Sequence, residues 1–173
     1  MKARFALALL LLAAACARQP AAVLPQNRGC ALLVGGVGPG FADPKIDEFW
    51  FRVNREVTQR LQARLFDQYR AEALFVEPKD RARTRELVGA ELAKKKCNRI
   101  LQVAHDVNVD IQGNYFRFDV TLLEATPTTR GIYEKHYRFA RTLEVMKSFS
   151  TAAFGDQVFK DLEASGALQA IRR

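Results

Sequence analysis

Apolar and polar positions alternate along one segment in the middle of the chain. One set of alternating positions is mostly apolar and consists of Leu101, Val103, His105, Val107, Val109 and Ile111. A period of two predicts a β-strand with one buried face and one face in water. The pair Gly113-Asn114 predicts a two-residue hairpin loop after it. In that register Asp106 faces Thr121, and the returning strand keeps its apolar residues on the buried side.

Apolar residues at steps of three and four predict helices in other parts of the chain. A long helix is expected to begin at Asp43, which is followed by Pro44, a pairing typical of a helix cap and first turn. We expect a second helix after Asp80 and a last one capped by Ser148 and ended by Gly166. Three further strands are predicted at Cys30–Val37, Ala73–Glu77 and Ile132–Arg141.

These elements follow the order β-α-β-α-β-β-β-α, which predicts an α+β domain with a mixed sheet of about five strands. Right-handed crossovers would make the first strands parallel, and we expect the helices on one face of the sheet. The domain is expected to span residues 29–168, with 169–173 as a C-terminal tail. A single domain suits this length.

Residues 1–15 have the pattern of an export signal. Lys2 and Arg4 precede an apolar run, Phe5–Leu12, that is too short to span ~30 Å of hydrocarbon. Small residues then lead to Cys16 and resemble the lipobox of bacterial lipoproteins, in which the cysteine becomes the lipidated first residue. Ordinary cleavage at an Ala-x-Ala site is the alternative.

Residues 16–28 are interpreted as a lipidated N-terminus and tether, because they contain prolines and small residues without periodicity. Membrane lipid is then a partner through Cys16, with several chains, palmitate among them, to hold the protein stably. Ala17 is not the aspartate associated with retention in the inner membrane. We therefore expect the periplasmic face of the outer membrane, with a soluble periplasmic protein as the alternative.

Charge and cysteine use agree with export. The net charge of +8 falls to +6 when Lys2 and Arg4 leave with the signal. In the envelope this favours phospholipid headgroups, lipopolysaccharide phosphates or peptidoglycan carboxylates over nucleic acid, and a generally basic soluble surface with no dedicated ligand is the alternative. Cys30 and Cys97 are a candidate disulfide, since an oxidising compartment tends to pair such residues. They would lie at the same end of neighbouring strands if the third strand were beside the first.

The residue patterns contain no strong catalytic motif. Gly36 to Gly40 follow a strand, but Pro39 intervenes and the helix begins later, so a turn is favoured over a phosphate-binding loop. None of the three serines lies in a Gly-x-Ser-x-Gly elbow. His105 is interpreted as a core residue and His136 as an exposed one. We expect no catalytic residues, no metal site and no cofactor.

Three segments carry a resemblance to a known family: Cys30–Val37, the run Asn98–Val103, and the Gly113-Asn114 hairpin. Together with the lipobox-like start and the element order, the region from about Gly29 to Leu168 resembles the small envelope domains of the TolB amino-terminal type. Related domains occur in the curli-secretion lipoprotein and in lipoprotein activators of penicillin-binding proteins. The resemblance implies protein binding or assembly in the envelope, without catalysis.

The sequence thus predicts a lipid-anchored adaptor or accessory subunit of a cell-envelope complex, with an envelope protein as partner. Its candidate binding face contains the polar strand residues Asp106, Arg117 and Asp119. A solvated outer sheet surface explains these residues equally well. Two other classes stay open: a periplasmic hydrolase acting on envelope polymers, and a carrier of an apolar ligand.

Overall fold

The computed structural model describes residues 30–110, 113–125, 129–140 and 142–172. The predicted signal peptide, Cys16 and the tether lie outside these residues. The strands are β1 (Ala31–Val37), β2 (Ala71–Phe75), β3 (Arg99–Asp110), β4 (Gly113–Glu124) and β5 (Arg130–Ala140). The helices are α1 (Pro44–Tyr69), α2 (Thr84–Lys95), α3 (Leu143–Ser148), α4 (Thr151–Ala164) and α5 (Ala167–Arg172), and a 3₁₀ helix, Pro78–Arg83, precedes α2.

The five strands form one mixed sheet in the order β2-β1-β3-β4-β5. β1 is parallel to β2 and to β3, whereas β3, β4 and β5 form an antiparallel meander. The predicted α+β class, the strand count and the position of the third strand beside the first are therefore confirmed.

The helices occupy both faces of the sheet, so the prediction that they share one face was wrong. α1 packs with α4 and α5 on the face that carries Ala31 and Leu33. α2 covers the opposite face of the parallel strands through Leu92, which packs with Leu32 and Val34. The reason is the strand order. The chain steps one way from β1 to β2 and back past β1 to β3, and two right-handed crossovers in opposite directions place their helices on opposite faces.

α1 begins where the sequence predicts. The Asp43 carboxylate accepts a hydrogen bond from the Lys45 amide at 2.9 Å, and Pro44 occupies the first turn. The helix ends at Arg70, which adopts a left-handed conformation (φ 48°) and donates its amide to the Phe66 carbonyl. Its buried stripe consists of Trp50, Val53, Val57, Leu61 and Leu65.

Two of the predicted helix starts were wrong. Asp80 lies inside the 3₁₀ helix instead of capping α2, which begins at Thr84 after this extra turn. Ser148 is the last residue of α3, and the hydroxyl of Ser150 caps α4 by accepting the Ala153 amide at 3.1 Å. In both places a short helical segment precedes the main helix. A capping residue in the sequence does not show whether it starts the short segment or the main helix.

The hairpin register also differs from the prediction. Asp106 pairs with Arg117 rather than Thr121, and Gly113 pairs with Asp110 as the first residue of β4. Both registers keep the apolar residues on one face, because they differ by an even number of residues. The observed register brings Phe116 and Phe118 against the Trp50 ring, with centroid distances of 4.2 and 5.6 Å.

The main core lies between the sheet and the layer formed by α1, α4 and α5. It extends past Leu168, where the sequence analysis ended the domain, because Ile171 in α5 is fully buried. The residues assigned to a tail thus include the greater part of α5, which closes the core.

Candidate functional site

The antiparallel meander has one side that no described helix covers. α2 contacts β1 and β2, its cluster reaches β3 only at Ile100, and the outer sides of the rest of β3, of β4 and of β5 stay uncovered among the described residues. We call this side the open face. Its side chains alternate with the buried ones along each strand, as the pleat requires. They are Gln102, Ala104, Asp106, Tyr115, Arg117, Asp119, Thr121, Glu134, His136 and Arg138.

A row of charged side chains crosses the open face from β3 to β5. Arg117 Nη2 lies 3.2 Å from Asp106 Oδ2, and Arg117 Nε lies 2.8 Å from Asp119 Oδ1. The same Asp119 oxygen is 2.7 Å from His136 Nδ1, and His136 Nε2 is 3.6 Å from Glu134 Oε1. The row therefore alternates acid, base, acid, histidine and acid, and each member is positioned by its neighbours.

The row is less accessible at its centre than at its β5 end. The Asp119 side chain is 19% exposed, whereas that of Glu134 is 64% exposed. Partly exposed ion pairs of this kind each contribute about 1 kcal/mol or less to stability. Their main effect is to hold charged groups at defined positions, which reduces the ordering cost of binding a complementary surface.

An aromatic contact extends the open face beyond the charged row. The Arg138 guanidinium lies 4.8 Å from the centroid of the Tyr115 ring, within cation–π distance. Tyrosine and arginine are enriched at protein interfaces, because each combines a large contact area with polar groups.

All three residues proposed from sequence, Asp106, Arg117 and Asp119, lie together on the open face. The predicted register would have separated Asp106 from Arg117, and the observed one makes them direct partners. Sequence reasoning missed His136 and Glu134 as members of the row. The signal that identifies them is their position in β5. They are two residues apart and alternate with Tyr137 and Phe139, which pack on the core, so they point to the other face of the sheet.

Cys30 and Cys97 form a disulfide, as predicted, with their Cα atoms 4.8 Å apart. Both residues are buried beside α2, just before the starts of β1 and β3. The bond therefore joins two neighbouring parallel strands at the point where the described part of the chain begins.

The glycine-rich segment after β1 forms a turn against β3, in agreement with the sequence interpretation. Gly38 has φ 149°, and a Cβ atom there would lie 2.2 Å from the His105 carbonyl oxygen. Only glycine allows this approach. Gly36 itself lies in β1, and its amide donates to Asn54 Oδ1 at 2.7 Å, so α1 holds the end of the strand that leads into the turn.

His105 lies beneath this turn and is 2% exposed, which confirms its prediction as a core residue. Its Nδ1 atom is 3.2 Å from the Asn54 side-chain nitrogen, and the Phe41 ring stacks on the imidazole at 5.8 Å. Burial, with a further effect of the nearby Arg81 charge, lowers the pKa of His105 from 6.5 to about 4. The imidazole is therefore neutral at physiological pH. His136 is exposed, as predicted.

Within the part of the chain that the structure describes, no three His, Cys, Asp or Glu side chains are grouped closely enough to hold a metal ion. His105 and Asp106 point to opposite faces of β3, and the Asp106 carboxylate is engaged by Arg117. The described helices also include none with the length and apolar character needed to cross a bilayer.

Comparison with known proteins places the chain in no group: no protein-family model and no curated protein matches it.

Proposed function

We propose that this chain is a lipoprotein of the bacterial cell envelope, anchored through Cys16, that serves as a non-catalytic adaptor in an envelope complex. The domain would lie in the periplasm at the outer membrane. The observation that carries the proposal is the open face, where a fixed row of charges and an arginine–tyrosine contact are presented on a rigid sheet. The disulfide supports an oxidising compartment.

The partner that fits this face is a protein surface with alternating charges. Acidic groups would meet Arg117 and Arg138, and a basic group would meet Glu134 at the β5 end of the row. A surface of this kind selects its partner chiefly by rejecting others, because a wrong partner would place like charges opposite each other and bind weakly. The hydrolase alternative has less support, since the carboxylates of the row are engaged by Arg117 and His136.

The test is crosslinking in cells followed by recovery of tagged protein. We expect one envelope protein to be crosslinked to the unaltered chain and to be lost with Arg117→Glu. Arg85→Glu is the matched control, because Arg85 is an exposed arginine on α2, away from the open face. A Cys16→Ala variant tests whether anchoring is also required. Equal recovery with Arg117→Glu and Arg85→Glu would refute the open face as the adaptor surface.

A second candidate function, the carrier of an apolar ligand, is favoured by one cavity. It has a volume of about 370 Å³ and lies between β5, α3 and the first turns of α4. Its walls include Tyr137, Phe139, Phe149 and Phe154, and none of its lining residues is charged. This volume is within the range of about 300–1,000 Å³ typical of small-ligand sites.

The chain contains a single tryptophan, which gives this candidate a direct readout. The Trp50 ring is 5.5 Å from that of Phe149, so a bound apolar probe such as N-phenyl-1-naphthylamine should change Trp50 fluorescence. Ala153→Leu should fill the cavity and abolish the change, whereas Ala152→Leu, one residue away and outside the lining, should not. No response from the unaltered chain would remove this candidate.

A further inference from the structure

One row of residues crosses all five strands at the end of the sheet where the parallel strands start. Ala71 pairs with Ala31, Ala31 with Arg99, Arg99 with Glu124, and Glu124 with Arg130. We call this end of the domain the strand-start end. Residue 30 lies beside it, so the segment 16–29 joins the domain here.

Basic residues collect at the strand-start end. Arg70 immediately precedes β2, and Lys94, Lys95 and Lys96 end α2 just before β3. Three of the acidic residues at this end are already paired, namely Glu72 with Lys95, Glu91 with Lys94, and Glu124 with Arg99.

Three exposed cations remain at this end without an ion pair among the described residues: Arg70, Lys96 and Arg130. Glu163, near the end of α4, is an acid nearby without a described ion pair, and Asp67 lies in the last turn of α1. The opposite end of the domain carries cations and acids together. Its cations outside the described ion pairs include Lys45, Arg52, Lys79, Arg85 and Lys147, and its acids include Asp43, Glu48, Asp80 and Glu144.

We infer that the strand-start end docks on an anionic lipid surface through Arg70, Lys96 and Arg130. Two observations determine this choice of partner. The first is the group of three exposed cations at this end that no described acid pairs with, which complements acidic headgroups. The second is the connecting segment 17–29, which contains Arg18 and Arg28 and no acidic residue.

The end of the domain that faces the membrane is inferred partly from the proposed anchoring at Cys16. The attraction of the three cations to an anionic surface does not depend on that anchoring. Residues 17–29 span at most about 45 Å when fully extended, since each residue adds at most 3.3–3.6 Å. A lipid anchor plus a basic surface is a two-signal arrangement that binds membranes more stably than either signal alone. In this orientation the strands stand away from the membrane and the open face points sideways into the periplasm.

The test is co-sedimentation of the Cys16→Ala chain with vesicles. We expect binding to vesicles containing phosphatidylglycerol, weaker binding as salt rises, and little binding to pure phosphatidylcholine. The triple variant Arg70→Glu, Lys96→Glu and Arg130→Glu should lower the apparent affinity by about a hundredfold, because the contributions of three cations near an anionic surface are lost together.

A second triple variant, Lys45→Glu, Lys79→Glu and Arg85→Glu, is the matched control. It makes the same charge change at the opposite end and keeps residues 1–29 as they are in the Cys16→Ala chain. Circular dichroism checks that both variants fold. Equal losses in the two triples, no loss in either, or no preference for anionic vesicles would overturn the inference. Labelling of Cys16 with a radioactive fatty acid in cells tests the anchoring separately, so failure of one leaves the other standing.

Discussion

The parallel and antiparallel halves of the sheet differ in how they are covered. In β1, residues Ala31 to Val34 are all fully buried, because α1 lies on one face and α2 on the other. In β4, Phe116 and Phe118 are buried while Arg117 and Asp119 remain partly exposed. The first half is covered on both faces, and the second leaves one face open to solvent. The sequence of each half reflects this, with a continuous apolar run in β1 and strict alternation in β4.

The largest expected effect comes from removing a large side chain on the covered face of β4. Phe118 is fully buried and contacts Trp50 and Phe154, so Phe118→Ala should lower the free energy of unfolding by about 3 to 5 kcal/mol. Urea denaturation followed by circular dichroism measures this. A loss below about 1 kcal/mol would contradict the assignment of this face to the core.

The disulfide should have an effect of similar size on the half that is covered on both faces. Cys30 and Cys97 are 67 residues apart in sequence, and closing a loop of that length stabilises the folded state by about 4 kcal/mol in the chain-entropy model. Reduction, or replacement of both cysteines by serine, should therefore lower the urea midpoint strongly. An unchanged midpoint in reducing buffer would argue against a structural bond.

A pH effect is expected where the two halves meet, at His105. Its pKa is lowered from 6.5 to about 4 in the folded state, so the unfolded chain binds the proton more readily. Stability should fall as pH decreases from about 6.5 to about 4, by about 3 kcal/mol in total. His105→Gln should remove this slope while retaining the slopes due to carboxylates. Urea midpoints of the unaltered chain and of His105→Gln are measured at several pH values. If the two midpoints changed with pH in parallel, the assigned role of His105 would be refuted.

The smallest effect on stability is expected on the open face. Arg117→Gln should cost about 1 kcal/mol or less, because its ion pairs are partly exposed. Next to Phe118→Ala in the same strand, it gives a direct measure of the difference between the faces. A loss comparable to that of Phe118→Ala would mean that Arg117 is a structural residue, and the adaptor proposal would lose its main support.

Local patterns predicted the elements of this fold well, and relations between elements less well. The alternation in β3 and the Asp43-Pro44 helix start were read correctly because each depends on neighbouring residues. The hairpin register was not, since two registers preserve the same apolar face and only packing against Trp50 separates them. The side of the sheet taken by α2 depends on strand order, which no single segment encodes.

The candidate site shows the same division. The sequence predicted Asp106, Arg117 and Asp119 as surface residues because they occupy the alternate positions of the predicted strands that face solvent. Their ordering into a row with His136 required the pairing of β4 with β5, which places His136 opposite Asp119. The apolar cavity was not predicted, because it depends on α3, a short helix before the expected start at Ser148 that the sequence analysis did not predict.

The position of the Cys30–Cys97 bond has a mechanical consequence. A pulling force applied through the N-terminal segment enters the domain at Cys30 and passes at once through a covalent bond to Cys97. The load is thus shared between β1 and the longer β3, which is paired on both sides, instead of peeling β1 from the sheet one hydrogen bond at a time. A domain built in this way resists being unravelled from its N-terminal end.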